Sequence, residues 1–228
     1  MHRIDIPAEI RARAAHRRGA RSFLSRLDPA TTAHVVIDLQ NGFLREGALL
    51  EVPQARAVVP AVNAISAALR AAGGKVAFTR FAWLPGDPLA WRLFYERFLD
   101  PAEAEEQQRV FAPGAADLQL WPELDVAEAD FVTDKTRYSA FTEGTSELPR
   151  WLREHGIRTL IITGTLSNCC CESTARDAMQ YGYEVIYVAD ANATLSDAEH
   201  NATLVNMLTL FADVASAEEV IAALGRAS

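Results

Sequence analysis

The chain has 228 residues, half of them hydrophobic, and a formal net charge of −8 at neutral pH. This is enough apolar material for a buried core, and the negative charge argues against nucleic acid as a partner because no basic stripe outweighs it. Residues 1–27 lack the apolar segment of a signal peptide and no apolar run reaches the ~18 residues that span a bilayer, so no membrane partner is expected. The three adjacent cysteines, Cys169 to Cys171, cannot form a disulfide framework, which predicts a reduced, cytoplasmic compartment.

Apolar, β-branched runs that predict strands alternate along the chain with segments that predict helices. In chain order we expect a helix over 7–27, a strand over 33–38, a helix over 53–72, a strand over 75–80, a helix over 89–99, a strand over 130–133, a helix over 144–155, a strand over 159–163, a helix over 172–181, a strand over 183–188, a helix over 196–211, a strand over 213–215 and a helix over 218–224. The stretch 81–129 is the least regular, with three of the four tryptophans, and predicts an excursion that covers another part of the fold.

Alternating strands and helices imply parallel βαβ units with right-handed crossovers. The sequence therefore predicts an α/β protein, a three-layer α/β/α sandwich around a six-stranded, mainly parallel sheet. No flexible linker interrupts the even spacing, so we expect a single domain over 1–228, with 1–30 as an N-terminal helical extension.

Three chemically distinctive residues follow predicted strands: Asp38, Lys135 and Cys170. Ligands of such folds bind outside the carboxyl ends of the strands, so these side chains are expected to converge. The cysteines also begin a predicted helix after Gly164, where unpaired N–H groups favour a thiolate. A buried, inert cysteine is the common alternative, and the convergence favours a functional one.

Three motifs resemble the isochorismatase-like cysteine hydrolase superfamily: Ile-Asp38-Leu-Gln-Asn-Gly-Phe, Lys135-Thr-Arg-Tyr-Ser-Ala-Phe and Gly164-Thr-Leu-Ser-Asn-Cys-Cys170-Cys-Glu-Ser-Thr-Ala-Arg-Asp-Ala. They occur in the order and at the strand ends typical of that family, and the likeness spans residues 33 to about 215. The resemblance implies a triad of Asp38, Lys135 and Cys170. Cys170 would be the nucleophile, Lys135 would lower its pKa, and Asp38 would be the base.

The resemblance also implies a cis peptide between Leu166 and Ser167, and an oxyanion hole formed by the backbone N–H groups of Ser167 and Cys170. Cys169 and Cys171 are expected to pack as small core residues.

Differences from the family pattern restrict which reactions of the family are expected for this chain. Members that are nicotinamidases carry metal-binding histidines, whereas the corresponding region here offers only Asp87, and the five histidines are at positions that do not converge in the predicted topology. We therefore expect no metal and no cofactor. True isochorismatases, as the family is known, lack the nucleophile, so Cys170 argues against that reaction.

The motifs are most similar to those of the ureidoacrylate-type amidohydrolases, which implies a hydrolase of a small amide or ureide acting through a thioacyl enzyme. The predicted substrate-binding residues are Gln40, Phe43, Trp83, Tyr138, Phe141 and Asn168. The family also favours a homo-oligomer, a dimer or tetramer. Two alternatives stay open: a hydrolase of a larger cyclic amide or non-amide bond, and a non-catalytic member. A thiol redox protein fits less well because adjacent cysteines form only strained bridges.

Overall fold

The computed structural model describes residues 1–19, 21–87, 89 and 91–227, which form six strands and eight α-helices within those ranges. The strands are Thr32–Ile37 (β1), Lys75–Phe81 (β2), Phe131–Lys135 (β3), Thr159–Thr165 (β4), Glu184–Ala193 (β5) and Asp213–Ala215 (β6). The α-helices are Ala8–Arg18 (α1), Asn41–Leu44 (α2), Val59–Ala71 (α3), Pro101–Val110 (α4), Leu148–Glu154 (α5), Glu172–Gln180 (α6), Asp197–Asn206 (α7) and Ala217–Ala227 (α8). Wider helical turns are formed by Phe94–Phe98, Ser167–Cys171 and Met207–Phe211, and tighter turns by Leu24–Arg26, Pro29–Thr31 and Pro53–Val58.

The six strands form one sheet in the order β3-β2-β1-β4-β5-β6, and every pair is parallel. The predicted α/β/α fold is therefore confirmed, with a sheet that is parallel throughout.

Some predicted helices are shorter than expected. The helix over 7–27 ends at Arg18 because Gly19 adopts a φ of +59°. The helix over 144–155 begins only at Leu148, since Gly144 has a φ of +74° and lies in a turn. Of the helix over 89–99, the structure forms the turn Phe94–Phe98, and residue 90 lies outside the described residues.

Side chains of β1 alternate between the two faces of the sheet and join two separate cores. Val36 packs into the core that contains α3 and α8, whereas Val35 and Ile37 pack into the core that contains α5, α6 and α7. All three side chains are fully buried. The sheet is thus covered on both faces, which explains why its central strands read as continuous apolar runs.

The neighbouring strands β1 and β4 form the switch point of the topology. From β1 the chain continues through α3 to β2 on one side, and from β4 it continues through α6 to β5 on the other. The connections after β1 and β4 therefore diverge and leave a crevice at their carboxyl ends. Asp38 directly follows β1, and Cys170 lies in the turn after β4.

The excursion between β2 and β3 covers that crevice, as predicted. Backbone N–H groups of Asn41 and Gly42 donate to the carbonyls of Gln119 and Asp117 at 2.9 and 3.0 Å. Trp121 N donates in turn to Leu39 O at 2.9 Å. The excursion therefore helps to hold the loop after β1.

The N-terminal segment packs against the C-terminal third of the chain. Arg18 forms an ion pair with Asp213, and His2 Nδ1 lies 2.8 Å from Asp197 Oδ1. The single-domain assignment stays a prediction. No helix within the described part of the chain is long and apolar enough to cross a membrane.

Gly164 on β4 pairs with Ile37 on β1 and has no room for a side chain. Its φ is +127°, and a Cβ added there would lie 2.0 Å from Ile37 O. Backbone atoms cannot yield as a flexible side chain does. We expect Gly164→Ala to lower the free energy of unfolding by about 3 kcal/mol or more, because it combines a disfavoured φ with a backbone clash.

Urea denaturation checks this expectation, with Gly182→Ala as the matched control. Gly182 has a φ of +94° but open space around its Cα, so its alanine variant is expected to lose only about 1 kcal/mol. Equal losses at the two positions would contradict the role of the clash.

Candidate active site

Asp38 is oriented by a tight turn at the end of β1. Its φ is +52°, in the left-handed region that Asp tolerates better than most residues, and its carbonyl accepts from Gln40 N at 2.9 Å. Thr79 on the neighbouring β2 donates its hydroxyl to Asp38 Oδ1 at 2.9 Å. The carboxylate is fully buried and is thereby fixed in direction.

Gln40 holds this turn in place and does not have a free amide. Its Nε2 donates to Phe81 O and Leu118 O at 3.1 and 3.0 Å, while its Oε1 accepts from Phe81 N at 2.6 Å. Both amide hydrogens are therefore used by backbone carbonyls. The predicted substrate contact from Gln40 is corrected to a positioning role that joins β1, β2 and the excursion.

Lys135 ends β3 and meets Asp38 inside the protein. Its Nζ lies 2.7 Å from Asp38 Oδ2 and donates to Arg137 O at 2.9 Å. Both charged side chains are fully buried. Cys170 also hydrogen-bonds to the Asp38 carboxylate and favours its ionised form. The carboxylate therefore lies between the buried cation and the thiol.

Burial and pairing shift both groups of this ion pair. Burial raises the pKa of Asp38, and Lys135 opposes that shift by favouring the carboxylate. Burial alone would lower the pKa of Lys135, but the negative charges of Asp38 and Cys170 outweigh it and raise that pKa. The lysine is therefore a permanent cation, and the carboxylate is a stronger base than an exposed aspartate.

Cys170 lies in the helical turn after β4, which is fixed from two sides. Leu166 O accepts from Cys169 N and Cys171 N at 3.1 and 3.2 Å. On the other side, Ser167 O accepts from Tyr187 Oη at 3.0 Å, and Ser167 Oγ lies 2.8 Å from His200 Nδ1. The turn is thus anchored to β5 and α7, and Cys170 itself is 3 % exposed.

The predicted cis peptide is displaced by one residue. The structure has it between Thr165 and Leu166, not between Leu166 and Ser167. The Leu166 carbonyl already accepts the first hydrogen bonds of the turn, so the Leu166–Ser167 peptide belongs to the helical segment. The oxyanion hole of Ser167 and Cys170 N–H groups stays a prediction.

The expected thiolate at Cys170 is also corrected. A hydrogen bond with Cys169 and burial both raise the pKa of Cys170 well above its ordinary value, and Lys135 opposes them without prevailing. The same hydrogen bond lowers the pKa of Cys169, which lines the cavity rather than packing in the core as expected. The raised pKa of Cys170 favours its thiol form.

Cys170 opens onto an apolar cavity of about 270 Å³. The cavity is lined by Phe43, Leu50, Phe81, Phe94, Phe98, Leu99, Gln107, Tyr138, Leu166, Cys169 and Cys170. Lys135 Nζ lies 5.3 Å from the centroid of the Phe81 ring, which is part of the cavity wall, and Lys135 is not itself a lining residue. A thiol, a carboxylate and a cation are thus assembled beside a space of small-molecule size.

Comparison with known proteins decides the family. The Isochorismatase domain matches residues 32–219. The chain belongs to the isochorismatase family, and it is a hydrolase of that family.

Individual members agree with this assignment. The chain is 33 % identical over 229 residues, which cover 95 % of it and 91 % of its relative, to the ureidoacrylate amidohydrolase RutB of Pseudomonas savastanoi pv. phaseolicola. It is 34 % identical over 179 residues, 78 % of the chain and 86 % of the relative, to the uncharacterized isochorismatase family protein YwoC of Bacillus subtilis. A cysteine hydrolase from Pseudomonas syringae pv. phaseolicola superposes with a TM-score of 0.80 at 26 % identity, over 89 % of this chain and 96 % of the other.

Only two of the residues predicted to bind substrate in this isochorismatase-family site line the cavity beside Cys170, namely Phe43 and Tyr138. Trp83 lines a neighbouring cavity with Trp91 and Arg137. Phe141 stacks at 5.7 Å on Tyr181, elsewhere on the surface.

Asn168 is exposed on the α7 side. Its Oδ1 accepts from Thr194 Oγ1 at 2.6 Å, and its Nδ2 donates to Glu199 at 3.4 Å. From the motifs alone it could not be predicted which side chains of the turn that carries Cys170 face the cavity and which face α7.

The histidines depart from expectation, because His2 and His200 do converge and stack with ring centroids 4.5 Å apart. Neither forms a metal site. His2 is held by Asp197 and by Thr194 N, and His200 Nε2 lies 2.9 Å from Ala189 O. Burial lowers the pKa of His200 to about 4, so its ring is neutral. Across the described ranges, no three His, Cys, Asp or Glu side chains form a group able to hold a metal.

Sequence reasoning missed several residues that the family site uses. Thr79 and His200 orient the carboxylate and the cysteine turn, and both looked like ordinary residues of a strand and a helix. Phe94, Phe98 and Gln107 of the excursion line the cavity. The only signal for the two phenylalanines was their spacing of four residues in a segment expected to be helical.

The ion pair gives a sharp expectation for stability. Asp38→Asn leaves a buried cation alone and Lys135→Met leaves a buried carboxylate alone, so each is expected to lose about 3 kcal/mol of unfolding free energy. The double variant retains no lone charge and is expected to lose at least about 2 kcal/mol less than the sum. Urea denaturation of the four proteins measures this. Additive losses would show that the two charges do not stabilise each other.

Proposed function

We propose that this isochorismatase-family hydrolase cleaves a C–N bond of a small amide or ureide through a thioacyl-enzyme intermediate. The observation that carries the proposal is the buried set of Asp38, Lys135 and Cys170, which borders a cavity of small-molecule size. The name of a relative with 33 % identity over nearly the whole chain, a ureidoacrylate amidohydrolase, supports the choice of bond.

The first step is proton transfer from the thiol. Because the pKa of Cys170 is raised, the sulfur attacks only as its proton passes to a base. Asp38 is that base, since its side chain hydrogen-bonds to Cys170 and burial raises its pKa toward that of the thiol. Lys135 remains charged throughout and stabilises the negative charge that develops on sulfur.

The sulfur then bonds to the substrate carbonyl carbon, and the predicted N–H groups of Ser167 and Cys170 would stabilise the oxyanion. The C–N bond breaks, and the leaving nitrogen takes the proton from Asp38 to depart as ammonia or an amine. A water molecule gives a proton to the same carboxylate and adds to the thioester. The C–S bond breaks, the acid or carbamate leaves, and the thiol is restored.

The assignment of the nucleophile is tested by ammonia release from a panel of primary amides, ureides and carbamoyl compounds. Cys170→Ala is expected to lower kcat by about 10³-fold or more, because no other group forms the thioester. Cys171→Ala is the matched control: Cys171 is fully buried among core residues, and its variant is expected to stay within about threefold of the wild type.

Three other outcomes would point elsewhere. Activity retained in Cys170→Ala would show that another group is the nucleophile. Loss of wild-type activity with EDTA would indicate a metal-dependent reaction. Wild-type activity on cyclic amides alone would favour the larger-substrate alternative.

The pH profile tests the base. Activity requires ionised Asp38, whose pKa is raised, so kcat/KM is expected to fall on the acid side at a pH above the ordinary aspartate value of ~3.9. The alkaline limb is expected above the ordinary thiol value of ~8.5, since the pKa of Cys170 is raised. A kcat/KM that rises with the deprotonation of an ordinary thiol near pH 8 would contradict a proton transfer to Asp38.

The predicted homo-oligomer and the cytoplasmic location stay predictions. The small-molecule substrate follows from the family.

A further inference from the structure

The wall of the cavity beside Cys170 is mostly apolar, and this limits the charge that a substrate can carry. Of its eleven lining residues, all described by the structure, none is Arg, Lys or His. The buried cation Lys135 does not line the cavity, and its charge is already paired with Asp38. A carboxylate on the substrate would therefore enter an apolar space without a counter-ion, which is strongly unfavourable.

Arg137 does not supply that counter-ion. Its guanidinium donates to Thr136 O at 2.7 Å and to the Leu89 carbonyl, pairs with Asp87 and covers the ring of Trp91. These contacts face the neighbouring cavity. Arg92 also lines that neighbouring cavity and pairs with Glu96 at 2.8 Å. Both cations there thus already have a carboxylate partner.

Gln107 is the unusual polar group of the cavity wall. It is 2 % exposed, and its Nε2 donates to Glu103 Oε1 one helical turn earlier at 3.4 Å. A carboxylate only accepts hydrogen bonds, so the NH₂ end of the amide must face Glu103. The opposite atom, Gln107 Oε1, has no hydrogen-bond partner among the described residues.

A buried amide oxygen without a partner costs free energy unless a ligand satisfies it. In a cavity lined by Phe43, Phe81, Phe94 and Leu99, the ligand that fits is apolar and carries one N–H donor. An amide or ureide supplies that donor on the nitrogen beside its scissile carbonyl.

We propose that the substrate is a neutral amide or ureide with an apolar acyl or nitrogen substituent, and that Gln107 Oε1 is its specificity-determining acceptor. This inference rests on the proposed amide hydrolysis and deepens it. It also separates the chain from its ureidoacrylate-cleaving relative, whose named substrate is an acid.

Two amides of equal length test the charge requirement: hexanamide, and the half-amide of hexanedioic acid, in which a carboxylate replaces the terminal methyl. Both release ammonia on hydrolysis. The wild type is expected to show a kcat/KM at least roughly 100-fold higher for hexanamide, because the carboxylate loses its hydration without gaining a partner. Equal values, or a preference for the half-amide, would overturn the inference while leaving amide hydrolysis intact.

The role of Gln107 is tested with Gln107→Leu, which keeps the side-chain volume and removes the acceptor. We expect kcat/KM for hexanamide to fall about 10-fold and that for methyl hexanoate, which has no N–H, to stay within about twofold. Gln108→Leu is the matched control on the same helix; Gln108 lines the neighbouring cavity, and both rates are expected to stay near wild type. If kcat/KM fell equally for the amide and the ester, Gln107 would have a structural role and would not accept a hydrogen bond from the substrate.

Binding separates this inference from the proposed reaction. Calorimetry with Cys170→Ala measures affinity without turnover, and hexanamide is expected to bind while the half-amide does not. If Cys170→Ala binds only hexanamide but the wild type hydrolyses neither compound, the selectivity of the cavity is supported. The proposal of amide hydrolysis is then wrong. Equal binding of the two, or no binding of hexanamide, would overturn the selectivity.

Discussion

The pairing of Asp38 with Lys135 is the interaction on which the site depends. Each charge would be costly in a fully buried position, by several kcal/mol as an order of magnitude, and each is tolerated because the other is 2.7 Å away. The pair also sets the chemistry. It keeps a cation and a carboxylate beside the sulfur. In the proposed mechanism, a change to either residue would therefore affect both the fold and the reaction.

The sheet topology explains how three distant residues come to share one place. Asp38, Lys135 and Cys170 follow β1, β3 and β4, and parallel strands bring their carboxyl ends to one edge. The crevice exists because the connections from β1 and β4 leave in opposite directions. Gly164 pairs with Ile37 and leaves no room for a side chain between these two strands, just before the turn that carries Cys170. The geometry of the catalytic residues therefore derives from the backbone and only secondarily from side-chain packing.

The fold and the three catalytic candidates could be predicted because their signals are local. Apolar runs mark buried strands, and an Asp, a Lys and a Cys at strand ends identify one edge of the sheet. The cavity wall could not be predicted in this way. Trp83 and Phe141 looked as suitable as Phe43 and Tyr138, but Trp83 lines a neighbouring cavity and Phe141 packs on Tyr181.

The direction in which the pKa of Cys170 shifts could not be predicted from the sequence either. A lysine and a helix N-terminus argue for a thiolate at Cys170. The depth of burial, which opposes them, is a property of the assembled protein. The pairing of His2 with His200 depends in the same way on contacts between residues nearly two hundred positions apart.

The excursion between β2 and β3 has two parts with different structural roles. The part that includes Asp117, Gln119 and Trp121 holds the loop after β1 through backbone hydrogen bonds. The part that includes Phe94, Phe98 and Gln107 contributes cavity wall and no catalytic group. Natural variation or engineering can therefore exchange the second part for another sequence and redirect the enzyme to a new substrate. The first part must be inherited with the sheet, because it sets the turn that aims Asp38.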